Sequence, residues 1–153
     1  MTAASLEAGL CMVDADVDDA GAAIRLLAER AVAEGVAHPS YVDAVLAREE
    51  EYPTGLPLPV PAAIPHVGAE HVVRPALGAL VPRAPITFGE MGSRDRTIEA
   101  RLVLMLFVTD PQAQVPLLGR VIGVLRAPDL DETLLTGLAG PDDLASRLNA
   151  LLA

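Results

Sequence analysis

Residues 102–108, Leu-Val-Leu-Met-Leu-Phe-Val, form an unbroken apolar run behind Arg101. A strand with one wet face alternates apolar and polar side chains, so a run without alternation predicts a strand covered on both faces. The run is also far short of the roughly 20 apolar residues that cross a bilayer. A strand of this kind requires a layered fold, and the remaining sequence decides what the layers are.

Helical spacing supplies them. Ile24, Leu27, Ala28, Ala31 and Val32 recur at the interval of one helix face, after the acidic stretch Asp14–Asp19 and before a stop at Gly35. A second helix is announced by Pro39 and Ser40, with Ser40 read as N-cap and Asp43 in a capping-box position. Along it, Tyr41, Val45, Arg48 and Tyr52 share one stripe, which puts an arginine on a packed face. Val115, Leu118, Val121, Ile122 and Leu125 predict a third helix beginning close to Gln114, because Pro116 is tolerated only in a first turn. Helical patterns at 130–138 and, opened by Pro141, through Leu144, Leu148, Leu151 and Leu152 complete the set.

Further strands are expected around Leu10–Val13, Ala62–Ile64, Ala76–Val81 and Pro85–Phe88. The segment 53–61, PTGLPLPVP, carries four prolines and a glycine in nine residues and reads as an irregular loop. It is long for a loop without a function. Helices interspersed with short strands give an α/β sandwich, and 153 residues with no repeat or linker are read as one domain, 1–153.

Composition excludes several classes. The net charge is −10 and the eleven basic residues, all arginine, are dispersed, so the basic patch that nucleic acid requires is missing. With no Trp, two Phe and two Tyr there is no base-stacking platform. The N-terminus has neither a basic start nor a long apolar stretch, which predicts a cytoplasmic protein without membrane insertion. Cys11 is the single cysteine, read as a packed apolar residue. GxSxG, P-loop, GxGxxG and HExxH patterns are absent.

Three histidines remain. His38 precedes a proline at a turn and reads as structural; His71 lies five residues after His66, but no third ligand at metal-site spacing accompanies them, so neither a metal nor a cofactor is expected. His66 ends the strand-like AAIPH, between Pro65 and Gly68. By pattern alone such a residue is ordinarily a satisfied loop histidine. Its chemistry allows more: a neutral imidazole can attack phosphorus through one nitrogen while the other holds the tautomer. Arg48, permanently cationic and fork-shaped, is the candidate for steadying a phosphoryl group. Gln114, near a helix N-terminus, offers an amide donor or is merely a cap. The run Glu49–Glu51 reads as a solvated helix end.

AREEEYPTGL at 47–56 followed by AAIPHVGAEHV at 62–72 resembles the signature of IIA proteins of the fructose/mannitol (type-2) class of sugar phosphotransferase systems. In that class an Arg-Glu pair on a helix precedes a threonine-containing loop and an apolar-Pro-His strand end. PITFGEMGS at 85–93 and DPQAQVPLLGRVIGVL at 110–125 extend the resemblance over nearly the whole chain. Many mannitol and fructose relatives carry a second histidine where Gln114 stands; glutamine there, with the EHV and MGS segments, looks galactitol-like.

The resemblance implies a mixed central β-sheet flanked by helices on both sides. It also implies a phosphohistidine at His66, Arg48 steadying the phosphoryl group, Gln114 contacting it, phospho-HPr as donor and a IIB cysteine as acceptor, feeding a IIC membrane transporter. The acidic surface suits encounter with a more basic carrier. Two other functions fit the same sequence: a regulatory module whose phosphorylation state controls partner proteins, or a IIA-like domain that binds without transferring.

Overall fold

The computed structural model describes residues 4–153. The apolar run is the strand β7 (Leu102–Phe107), and it lies in the middle of a five-stranded sheet of order β1-β4-β7-β3-β2. Its neighbours are β4 (Ala76–Pro82), antiparallel to it, and β3 (Ala62–Ala63), parallel. Beyond them lie β1 (Leu6–Ala15), parallel to β4, and β2 (Gly55–Leu56), antiparallel to β3, so the sheet is mixed.

Both faces of β7 are covered, and no residue of the strand is more than 1% exposed. Val103, Met105 and Phe107 face a core built with Ile24, Leu27 and Ala31 of α1 (Ala20–Ala33) and Tyr41 and Val45 of α2 (Ser40–Glu51). Leu102, Leu104 and Leu106 face the opposite core, with Val121 and Leu125 of α3 (Pro111–Leu125) and Leu144 and Leu148 of α4 (Pro141–Leu152). Period-two geometry divides the run between the two cores. At about 1.5–3 kcal/mol per buried large aliphatic side chain, this strand is a principal source of the fold's stability. Cys11 belongs to the second core, where burial pushes its thiol up to about 11 and leaves it unreactive at neutral pH.

The helix that matters most to the site is α2, and one residue fixes it to the sheet. Tyr41 is fully buried, its ring lies 4.9 Å from that of Phe107, and its hydroxyl donates to the Leu106 carbonyl at 2.9 Å. On the far edge, Asn149 of α4 accepts from the Leu6 amide at 2.8 Å and donates to the Leu6 carbonyl at 3.0 Å, standing in for a further strand beside β1.

Several expectations are corrected. Ser40 does not cap α2: Pro39 already has helical angles, so Ser40 lies inside the first turn and its hydroxyl bonds His71 Nδ1 at 2.8 Å. Helix α3 begins at Pro111, capped by the Asp110 carboxylate on the Gln112 amide at 3.0 Å, which leaves Pro116 in its interior. An Asp-Pro start outweighs the cost of that proline, whose ring is exposed and removes a single helical bond. The pattern at 130–138 forms only one π-type turn, Asp131–Leu135, ended near Gly137 at φ 68°.

Two strands were not anticipated. β2 lies inside the proline-rich loop. β5 (Ile86–Gly89) pairs with β6 (Thr97–Ala100), the latter unforeseen, in a separate antiparallel ribbon that adds Ile86, Phe88, Ile98 and Ala100 to the first core. The ribbon is attached to β2 by the Met91 amide donating to the Gly55 carbonyl at 2.7 Å. Gly55 permits this approach, because a Cβ there would press on the Gly89 carbonyl oxygen and lie 2.7 Å from Ile98 Cγ1.

Candidate functional site

Strand β3 determines where His66 stands. Ala62 and Ala63 run beside Leu102 and Val103, and the Leu106 amide donates to the Pro65 carbonyl at 3.3 Å, so the chain reaches residue 66 at the C-terminal end of β7. Pro65 keeps Ile64 extended up to that point. His66 is 8% exposed, and its Nδ1 lies 2.8 Å from the Ile64 carbonyl oxygen. A carbonyl only accepts, so Nδ1 carries the proton and Nε2 retains its lone pair. Burial holds the imidazole below its usual value of 6.5, the Ile64 bond partly offsets that, and the Arg48 cation lowers it further. The ring is therefore neutral, with one nucleophilic nitrogen, at physiological pH.

Arg48 reaches this region from the last turn of α2. Its side chain is exposed, and its guanidinium carbon is 5.1 Å from the centre of the Tyr52 ring, one turn further on. The stripe read in the sequence thus divides: Tyr41 and Val45 are core, whereas Arg48 rests on an exposed aromatic face. The charge of Arg48 is close enough to His66 to act on its protonation. Gln114 is half-buried in the first turn of α3, at the end of the sheet where β7 finishes. It makes no hydrogen bond to His66 or Arg48 among the described residues.

Glu49 departs from the solvated helix end expected for residues 49–51. Glu50 and Glu51 are exposed, but Glu49 is half-buried and turned inward. Its Oε2 accepts from the Thr54 amide at 2.8 Å and its Oε1 from the Thr54 hydroxyl at 2.8 Å. The same hydroxyl oxygen accepts from the Ile64 amide at 3.2 Å. Burial raises the Glu49 carboxyl to about 7 despite the two Thr54 bonds, which pull the other way. The signal in the sequence was slight: of the three glutamates, only Glu49 lies one turn after the buried Val45 and five residues before a threonine.

The other histidines are occupied elsewhere. The exposed His38 donates its amide to the His71 carbonyl at 2.9 Å, and His71, bonded to Ser40, lies 3.5 Å from the Glu70 carboxylate. Among the described residues no group of three or more His, Cys, Asp or Glu side chains could hold a metal ion. No helix among them is long and apolar enough to cross a membrane.

A buried neutral imidazole with a fixed tautomer, within reach of an exposed arginine's charge and at the sheet end where α3 begins, is equipped to receive a phosphoryl group. Such transfer requires positioning and positive charge more than covalent help.

Comparison with known proteins agrees with this chemistry. Residues 5–149 match the family described as phosphoenolpyruvate-dependent sugar phosphotransferase system, EIIA 2. The galactitol-specific EIIA component of Escherichia coli K12 is 40% identical over 106 residues, 69% of this chain and 70% of that protein. Among solved structures, the mannitol IIA of Escherichia coli superimposes with a TM-score of 0.74 at 24% identity, over 97% of this chain and 99% of that one. The Escherichia coli complex of IIA-mannitol with phosphorylated IIB-mannitol gives a TM-score of 0.73 at 25% identity, over 97% and 96%. The galactitol-like reading of the sequence agrees with the name of the first of these relatives, and the mixed sheet between two helical layers with the fold of the solved structures. The chain belongs to the EIIA type-2 family of sugar phosphotransferase systems, and is thus a IIA phosphocarrier component, a phosphotransferase.

Proposed function

We propose that His66 is the phosphorylated residue of this phosphocarrier, with Nε2 as the nucleophile. The observation that carries the reading is the bond from Nδ1–H to the Ile64 carbonyl, which leaves Nε2 unprotonated in a buried ring. The donor is a phosphohistidine on HPr. Its N–P bond breaks as the Nε2–P bond forms, the donor nitrogen keeps the electron pair, and Nδ1 keeps its proton throughout. In the second transfer a cysteine thiolate of a IIB partner attacks phosphorus, the S–P bond forms, and Nε2 recovers its lone pair. Arg48 swings from the Tyr52 ring to the phosphoryl oxygens and offsets charge in both steps. Gln114 adds an amide donor from the first turn of α3.

The relatives named galactitol-specific support galactitol as the sugar whose uptake this relay serves, through a IIC transporter reached by way of IIB. The same reading has residues 1–153 acting as one domain in the cytoplasm, where the phosphoenolpyruvate-fed donors are. HPr and IIB meet the same histidine and so bind in turn, through modest interfaces. The test is incubation with phosphoenolpyruvate, enzyme I and HPr, followed by intact-mass analysis with and without His66→Ala. The expected result is one acid-labile phosphate on the wild type and none on the variant; no gain with competent donors favours a domain that only binds. Removing the chain from its host should abolish phosphorylating uptake of galactitol, and unchanged uptake would assign the relay to regulation.

A further inference from the structure

Ile64 is held from two sides. Its carbonyl receives the His66 Nδ1 proton at 2.8 Å, and its amide donates to Thr54 Oγ1 at 3.2 Å. Thr54 is 4% exposed and is in turn held by both oxygens of Glu49, through its amide and its hydroxyl, each at 2.8 Å. The sequence is continuous: Glu49 on α2, Thr54 at the start of the proline-rich loop, Ile64 after β3, then the imidazole. Prolines at 53, 57, 59 and 61 deprive this loop of four amide donors, so side chains must do what a backbone ladder would otherwise do. The Glu49 neighbour of Arg48 thereby reaches His66 by a route separate from the arginine's charge.

We propose that Glu49 and Thr54 are positioning residues for phosphoryl transfer, fixing the Ile64 carbonyl so that His66 keeps its proton on Nδ1 and presents Nε2. Neither touches the phosphoryl group. The inference deepens the assignment of His66 as nucleophile and rests on it for its kinetic consequence, but the tautomer itself is observable without any donor. The Thr54 hydroxyl serves both ends of the route, as donor to Glu49 Oε1 and acceptor from Ile64, and valine of the same shape keeps only the backbone bonds, its amide to Glu49 and its carbonyl accepting the Ile64 amide at 3.4 Å. An imidazole free to exchange its proton between nitrogens loses nucleophile in proportion, and a small displacement of an attacking atom costs up to about a hundredfold in rate.

The test compares wild type, Thr54→Val, Thr54→Ser and Glu49→Met by nitrogen-15 spectra of the His66 ring and by the rate of phosphate uptake from phospho-HPr. Wild type should show the Nδ1–H tautomer alone. Thr54→Val and Glu49→Met should show a mixture of tautomers and about tenfold slower phosphorylation, and Thr54→Ser should recover most of both. A pure Nδ1–H tautomer in Thr54→Val, with the wild-type rate, would overturn the proposal, as would a loss in Thr54→Ser equal to that in Thr54→Val. If Thr54→Val fails to fold, the tautomer in Glu49→Met decides alone. An unphosphorylated wild type with the tautomer shift intact in the variants would sink the nucleophile assignment and leave the positioning role standing.

Discussion

A histidine that shuttles a phosphoryl group, as proposed for His66, has to offer one nitrogen and keep the other quiet, and the Ile64 carbonyl two residues away is placed for the second task. His66→Ala should therefore abolish labelling outright. Gln114→Ala should slow it only severalfold, since that amide has no established hold on the ring. Arg48→Ala carries two consequences. Transfer should slow about a hundredfold, as when one preorganised charge-stabilising donor is lost. The His66 ring should also titrate at higher pH than in the wild type, because a cation that lowers its pKa has gone. Ring titration by NMR and single-turnover kinetics read the two effects separately; equal rates in variant and wild type would remove the arginine from the mechanism. At this scale His66 and Arg48 could be named as candidates because proline, histidine and arginine leave strong local marks. Glu49 was not, since the run Glu49–Glu51 looks uniform until the three-dimensional position of Thr54 separates its first member from the other two.

Elements were legible where they carry their own periodicity. α1 and α4 each show it over enough residues to be read without knowing their neighbours, and β7 shows instead an unbroken apolar run. β6 has four residues, two of them exposed, and exists because β5 lies beside it. β2 has two residues within a proline-rich stretch that forbids most ladder bonds, and it owes its strand conformation to pairing with β3. Such elements are products of tertiary contact, so their weak point should be the contact itself. Gly55 is where β2, Gly89 and Ile98 crowd together. Gly55→Ala should cost about 1–3 kcal/mol through overpacking, and it should expose the Met91 amide to faster hydrogen exchange than the amides of β7. Chemical denaturation with exchange mass spectrometry checks both. A variant as stable as wild type would mean the ribbon can shift away from the sheet at little cost.

Across the whole molecule, two cores on opposite faces of one sheet could be inferred from a single apolar run, whereas the polar route that crosses from α2 to His66 could not, and that route carries a pH signature of its own. His66 and Glu49 are both displaced from their ordinary values by burial, in opposite senses. Folding holds His66 below 6.5, so as pH falls through that value the unfolded chain takes up the proton first and stability drops. Folding raises Glu49 from 4.5 to about 7, so its contribution is full below 4.5 and is lost as pH rises through 7. The two trends partly cancel in the wild type, and single substitutions should expose them. Relative to wild type, Glu49→Gln should gain stability as pH rises from 4.5 to about 7 and then level off. His66→Ala should gain, relative to wild type, as pH falls below 6.5. Differences between urea melts at a series of pH values cancel the titrations shared by all three proteins. Difference curves that slope in opposite directions would establish that burial governs both groups, while flat curves would mean that water reaches them freely and that the tautomer of His66 is held by its Ile64 bond alone.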